Sequence, residues 1–430
     1  MNSGSVLGQK NVSSGVRSLA GTFAAVSESV AIGYEAGTNS QAGQVTFVGS
    51  EAGRANTAVG SISVGYQSGY SQSSGLSNTN IGYKAGYSNT TGQNRTMLGY
   101  EAGLNNTGNN NVFLGKATGR GSGSGSQTIA IGQGVMEGGS AANNSVFIGN
   151  FMAYDTTSGA NSTVAIGSNC LSVSGYSAEG NTVVGYLAGN NLTSGDNNVL
   201  LGKNAGDGIT TSPDNVFIGY ESGINFNNTG GDGRNVAVGS GAGNDLTTGI
   251  YNTFLGYQAG ALNTNITTGN FNVMVGYQAV GSGTTASNQN SFGYSAACTA
   301  NNQITLGNTS IGAIRAQVTS ITAISDERDK TSIETIPYGL EFVNSLQPKK
   351  FVWDHRAETD SEGNEFFSSN KGKKDIGFIA QELQSVDDDY LNLVYDENPD
   401  KLEATYGRLI PVLVQAIKEL KAEVELLKNK

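Results

Sequence analysis

The chain has 430 residues, of which 62 are glycine, with a net charge of −11, one histidine and two cysteines. An acidic chain without a basic stripe is not built to neutralise phosphates, which argues against a nucleic acid partner. No run of eighteen apolar residues exists to span a membrane, and one His with two Cys supplies neither a metal centre nor a disulfide framework.

Residues 1–28 read as an N-terminal attachment or cap segment. Met1-Asn2-Ser3-Gly4-Ser5 lacks the charged-then-apolar layout of a signal peptide, so the expectation is a chain made and assembled in a cytoplasm. Residues 29–308 carry an internal repeat. Seventeen glycines from Gly33 to Gly307, each preceded by an apolar residue, recur at gaps of 14 to 20 residues, mostly 16 or 17. Self-similarity at a fixed short period marks a solenoid, in which each repeat buries its apolar face against its neighbours.

The unit is clearest in Asn215-Val216-Phe217-Ile218-Gly219-Tyr220-Glu221-Ser222-Gly223. The residue before the periodic glycine is apolar in every copy (Ile32, Leu98, Val184, Leu255), and the residue two before it is apolar in thirteen, ranging from Ala31 to Phe147. Neighbours in a strand point to opposite faces, so these strands are apolar on both sides. One face fills the inside of a coil, and the other needs a cover, for which identical chains are the economical choice. Asn181, Asn198, Asn215, Asn235, Asn252 and Asn272 fall in one column and predict a polar turn ladder. The glycine fits a bend or close backbone approach, and a small residue follows three later (Ala36, Ala85, Ala188, Ala259). At one coil per strand spacing of about 4.8 Å, this body is roughly 80 Å long. A helical reading fails, because 57 of the 62 glycines precede residue 325 and Asn, Ser and Thr separate the apolar triplets. Disorder fails because the triplet returns on schedule.

Residues 309–324 alternate (Ile311, Ile314, Ala316, Val318, Ile321) and read as a connecting strand or neck. Composition then switches. Residues 1–324 carry 10 Lys/Arg and 13 Asp/Glu, whereas residues 325–430 carry 14 and 22, four of the five prolines, Trp353 and His355. A charge-poor fibre beside a charge-rich compact segment is a domain boundary. At that boundary stands Ser325-Asp326-Glu327-Arg328-Asp329-Lys330, followed by Gly339-Leu340-Glu341-Phe342, Leu346-Gln347-Pro348, Phe351-Val352-Trp353 and Gly377-Phe378-Ile379-Ala380-Gln381-Glu382. The chain ends in a helical pattern. Ile410, Leu413, Ile417, Leu420, Val424 and Leu427 step by 3, 4, 3, 4, 3, a coiled-coil seam whose β-branched a and Leu d positions by themselves favour two strands.

From Ser325 to Lys430 this string, in order and spacing, resembles the C-terminal intramolecular chaperone domain of phage tail spikes and tail fibres, the self-cleaving endosialidase-type peptidase domain. The repeats Ser29-Val30-Ala31-Ile32-Gly33 and Ser162-Thr163-Val164-Ala165-Ile166-Gly167 resemble the left-handed parallel β-roll of trimeric bacterial adhesin heads. The implied fold is mainly β: a trimeric parallel β-roll or β-solenoid shaft of about 17-residue repeats, followed by a small α+β chaperone domain ending in a coiled-coil helix. The first resemblance implies a domain that holds three chains together while the shaft winds, then cuts itself off once as a serine endopeptidase. It implies Ser325 as nucleophile, Lys330 as base, Ile324–Ser325 as the scissile bond, and Asp326 with Arg328 as a supporting ion pair. It also implies a homotrimeric bacteriophage tail fibre, located in the virion tail and assembled in the host cytoplasm. Such a fibre would bind other tail proteins through its N-terminus and touch a host-surface glycan or protein, without cofactor, metal, nucleic acid or membrane insertion.

Other readings of the same residues are weaker. His355 lies in a charged stretch outside the motifs and reads as a surface side chain, and Cys170 as a buried structural thiol. Gly119 to Gly125 lack the following helix and Lys-Ser/Thr pair of a nucleotide loop. Nine tyrosines that follow the periodic glycine, such as Tyr66, Tyr83 and Tyr100, form either a packing ladder or an aromatic ridge for glycans. A bacterial trimeric adhesin is the alternative to a tail fibre, but the signal and membrane anchor it needs are missing from the pattern. A flat Thr array for ice or mineral binding is also missing.

Overall fold

The computed structural model describes residues 10–20, 26–41, 43–139, 142–154, 160–261, 266–317, 325–354, 358–359, 365–366 and 371–430. They divide into two compact units, Met1–Ile304 and Thr305–Lys430.

The first unit is a parallel β-solenoid. Each repeat contributes one short strand, three residues long in most coils, and eighteen strands form one parallel sheet. Equivalent residues pair in register: Val199 with Val216, Leu200 with Phe217 and Leu201 with Ile218, and Val216–Ile218 in turn with Val236–Val238. Among the described residues the ladder begins at Val12–Ser14, paired with Val30–Ile32, so a coil already lies inside the segment expected as an attachment or cap segment. That strand is exposed along its length, its positions need not be apolar, and Ser14 before Gly15 hides the repeat signature.

The periodic glycine has a steric cause. Gly219 has φ +136°, which L side chains rarely adopt, and a Cβ there would lie 2.4 Å from the carbonyl oxygen of Gly239 in the next coil. The strand residue two before it points inward, and over Phe113, Ala130, Phe147 and Ala165, all fully buried, large and small alternate, so that each ring packs over a small neighbour. Elsewhere Leu200 pairs with Phe217 and Phe254 with Met274. Gly223, four past the periodic glycine, lies under the Phe217 ring, where a Cβ would come within 2.5 Å. The asparagine column is a ladder, and it is buried. Each backbone N–H donates to the preceding Asn Oδ1, with Asn198 to Asn181 at 2.8 Å, Asn215 to Asn198 at 2.9 Å and Asn252 to Asn235 at 3.0 Å.

The residue before the periodic glycine points outward. Ile32 is 43% and Leu98 46% exposed, and Leu255 and Phe292 stand in the same column. One chain therefore leaves this apolar row uncovered. The tyrosines two positions on are exposed too, and they stack: Tyr66 on Tyr83 at 5.5 Å and Tyr83 on Tyr100 at 5.0 Å between ring centroids.

The segment read as a connecting strand or neck carries no strand over its described part. Residues 309–317 form a turn and irregular chain, and 318–324 lie outside the described residues. Alternation makes a strand only where a neighbour offers a ladder, and the described residues offer none here.

The second unit is α+β. Helices α1 (Leu340–Ser345), α2 (Ala380–Gln384) and α3 (Leu409–Lys428) accompany the antiparallel pairs Lys349–Val352 with Lys374–Gly377 and Val394–Tyr395 with Glu403–Ala404. Its small core gathers Leu383, Leu391, Leu393, Leu409 and Val412, flanked by Phe342 and Phe378. Helix α3 uses two faces. Leu409, Val412 and Ala416 are buried in the unit, whereas the a/d seam is exposed, Ile417 at 64% and Leu420 at 48%.

Candidate active site

The Ser-Asp-Glu-Arg-Asp-Lys segment folds locally into one turn of 3₁₀ helix, Glu327–Asp329. Asp326 caps it, accepting the Arg328 N–H at 2.9 Å. The Arg328 guanidinium folds back onto the same carboxylate through Nε–Oδ1 at 3.0 Å and Nη2–Oδ2 at 2.6 Å, a bidentate pair. These contacts hold the Asp326 carboxyl below the usual range and raise Arg328 above its own. The tight turn returns the chain on itself, so that residues five apart meet. Lys330 Nζ donates to Ser325 Oγ at 2.5 Å and to the Ser325 carbonyl at 3.1 Å.

The residues singled out from sequence are thus brought together, apart from Ile324, which lies outside the described residues. What the geometry permits depends on protonation. An ammonium has three donors and no acceptor, so Lys330 can take the Ser325 proton only when neutral, and a lysine becomes neutral near physiological pH when it is desolvated. Both residues are exposed in the single chain.

Supports around the unit were not legible from spacing. Glu419 on α3 accepts the Leu340 N–H at 2.7 Å, capping α1 from 79 residues away, and is steadied by Gln415 at 2.9 Å. Asp387 gathers the N–H groups of Leu393 and Val394, each at 2.9 Å. Tyr338 donates to Asp388. An acid within a charge-rich helix is the one available signal, and it does not single out Glu419. Of the other residues weighed, Cys170 is fully buried, with its thiol pushed up to about 12 by burial. Residues 119–125 are turns of a coil, with Ser122 bound to Gly119 O at 2.7 Å. His355 lies outside the described residues.

Compared with known families, residues 325–392 match the family described as chaperone of endosialidase. The match opens on Ser325 and closes before the last strand pair and α3. No curated protein matches the chain. The chain thus joins a C-terminal segment similar to the chaperone-of-endosialidase family to a parallel β-solenoid body, a combination consistent with a tail-fibre or endosialidase-type protein.

Proposed function

We propose that this chain is a bacteriophage tail-fibre subunit, working as a homotrimer in the virion tail. Its C-terminal unit aligns three chains, assists their winding in the host cytoplasm, and then severs itself at Ile324–Ser325. The N-terminus joins other tail proteins, and the body meets a glycan or protein of the host surface. The observation that carries the reading is a pair of uncovered apolar surfaces in one chain: the outward strand row of the solenoid and the α3 seam. A second and third copy of the chain covers both.

In the cleavage step, Ser325 Oγ attacks the Ile324 carbonyl as neutral Lys330 takes its proton. The bond to the Ser325 nitrogen breaks, the nitrogen leaves as an amine, and water hydrolyses the ester to free the hydroxyl and an Ile324 carboxylate. In this reading, cutting follows assembly of the three units.

The mass of the purified chain tests this. The parent gives a fragment ending at Ile324 and one beginning at Ser325, whereas Ser325→Ala and Lys330→Ala each leave the 44.3 kDa chain whole. A parent that trimerises and never cuts removes the peptidase and leaves the chaperone.

A further inference from the structure

The solenoid interior is apolar along most of its length, with one interruption. A cluster of buried apolar side chains runs from Leu19 to Ala52, and a second begins at Ala85 and continues to Ala286. Between them the inward positions are polar. Ser63 and Asn80 stand two before their periodic glycines, in the column that holds Phe47 one coil earlier and Met97 one coil later. Ser68 stands three after the glycine, where Ala52 and Ala85 flank it. Gln72, seven after, takes the place that Leu192, Ile209, Phe226 and Leu246 fill in later coils. All four polar side chains are fully buried, as are those four apolar ones.

This polar interior is only partly satisfied. Gln72 Nε2 donates to Ser61 Oγ at 2.6 Å and to Gly75 O at 2.5 Å, and Asn80 Nδ2 donates to Gln72 Oε1 at 3.3 Å. Ser63 Oγ, Ser68 Oγ, Asn80 Oδ1 and the adjoining Asn56 Nδ2 find no partner within the protein. Such groups are unfavourable, because the low dielectric that strengthens a made hydrogen bond also penalises a missing one. Side chains this short and polar also bury little apolar area against the coils on either side. The backbone does not share the interruption: Thr46–Val48 pairs with Ile62–Val64, and these with Thr79–Ile81, in parallel register. The outward row runs through as well, with Val48, Val64 and Ile81 before their glycines, so a neighbouring chain seated on that row leaves the interior unchanged. Coils in a solenoid are held by their neighbours, and the contacts across Ser63 and Asn80 are therefore a weak link in the stack.

We propose that this polar interruption divides the shaft into two cooperative units, so that the coils of residues 12–58 open separately from those of residues 96–286 and act as a compliant joint. The joint's role rests on the reading in which the N-terminus meets other tail proteins; the division rests on the interior alone. Hydrogen exchange of the assembled full chain, followed by mass spectrometry of its peptides, tests it. Amides of residues 12–58 should exchange as a group, about tenfold or more faster than those of residues 96–286, with the step at residues 61–80. Equal protection on both sides of Ser63 overturns the proposal, and so does a smooth gradient from residue 12, which fraying alone produces. Asn80→Leu combined with Ser63→Ala replaces two unpaired groups by apolar ones and should slow exchange in residues 12–58; a folded variant with an unchanged step also overturns it. The measurement on the parent chain decides the matter even where that variant fails to fold. A trimer that cuts itself yet shows no step sinks the division alone. A chain that shows the step but neither trimerises nor cuts keeps the division and sinks the tail-fibre reading, and with it the joint's role.

Discussion

Two residues show how the stacked backbone constrains single positions. A Cβ at Gly219 would meet backbone, which cannot swing aside as a side chain can, at a φ that only glycine adopts readily. Gly219→Ala is therefore expected to destabilise the body by about 1–3 kcal/mol per chain, while Gly283→Ala, with nothing within 4 Å, should be near neutral. Thermal unfolding of the two variants separates them. Arg95 replaces an asparagine in the buried column, between Asn78 and Asn111, and is 1% exposed. Its Nη1 reaches Asn106 O at 2.6 Å, its Nη2 has no partner, and burial pushes its pKa down to about 9 from 12.5. Between those values the unfolded chain holds a proton that the folded chain has released, so this side chain adds stability as pH rises through the window and costs stability below it. Denaturant unfolding from pH 7.5 to 10.5 should show the parent gaining on Arg95→Asn, by at most about 1.4 kcal/mol per pH unit above 9. A difference that stays flat with pH refutes this account of Arg95.

At the scale of an element, α3 is informative because one face is buried in its own unit and the a/d face is exposed. The Leu409, Val412 and Ala416 face holds the helix to its own unit, so charges on the other face need not unfold it. Ile417→Asp with Leu420→Asp should leave the unit folded by circular dichroism and abolish its trimer in sedimentation. A trimer that survives both substitutions would show that the seam is not an interface between chains. The a/d spacing was visible in sequence; that the helix also packs inward was not, because Leu409, Val412 and Ala416 follow helical spacing no less well.

For the whole molecule, the difficulty is register. Eighteen near-identical strands make a slip by one coil cheap, and the contacts that correct it lie far apart along the chain. In the proposed trimer, a compact unit that associates first would raise effective concentration and set the chains level. Residues 1–324 expressed alone should therefore aggregate, whereas a finished trimer cut near residue 324 should keep its shaft, held by a slow unfolding rate. Native soluble trimers from residues 1–324 alone would show that the C-terminal unit is no chaperone.

The solenoid, its period and the switch at Ser325 were legible in the order of residues, because a glycine that only a close backbone tolerates, a strand alternation and a shift in charge are local rules. The Ser325–Lys330 pair was not legible from spacing alone and came from the family resemblance. What depends on neighbours in other coils or in distant segments emerged only from the assembled fold. It placed a coil at Val12–Ser14 and buried the asparagine ladder with Arg95 inside it. It denied residues 309–317 a strand, because a strand exists only where a ladder partner does. It also brought Glu419 to α1, since a cap 79 residues away is a relation in space that no spacing along the chain encodes.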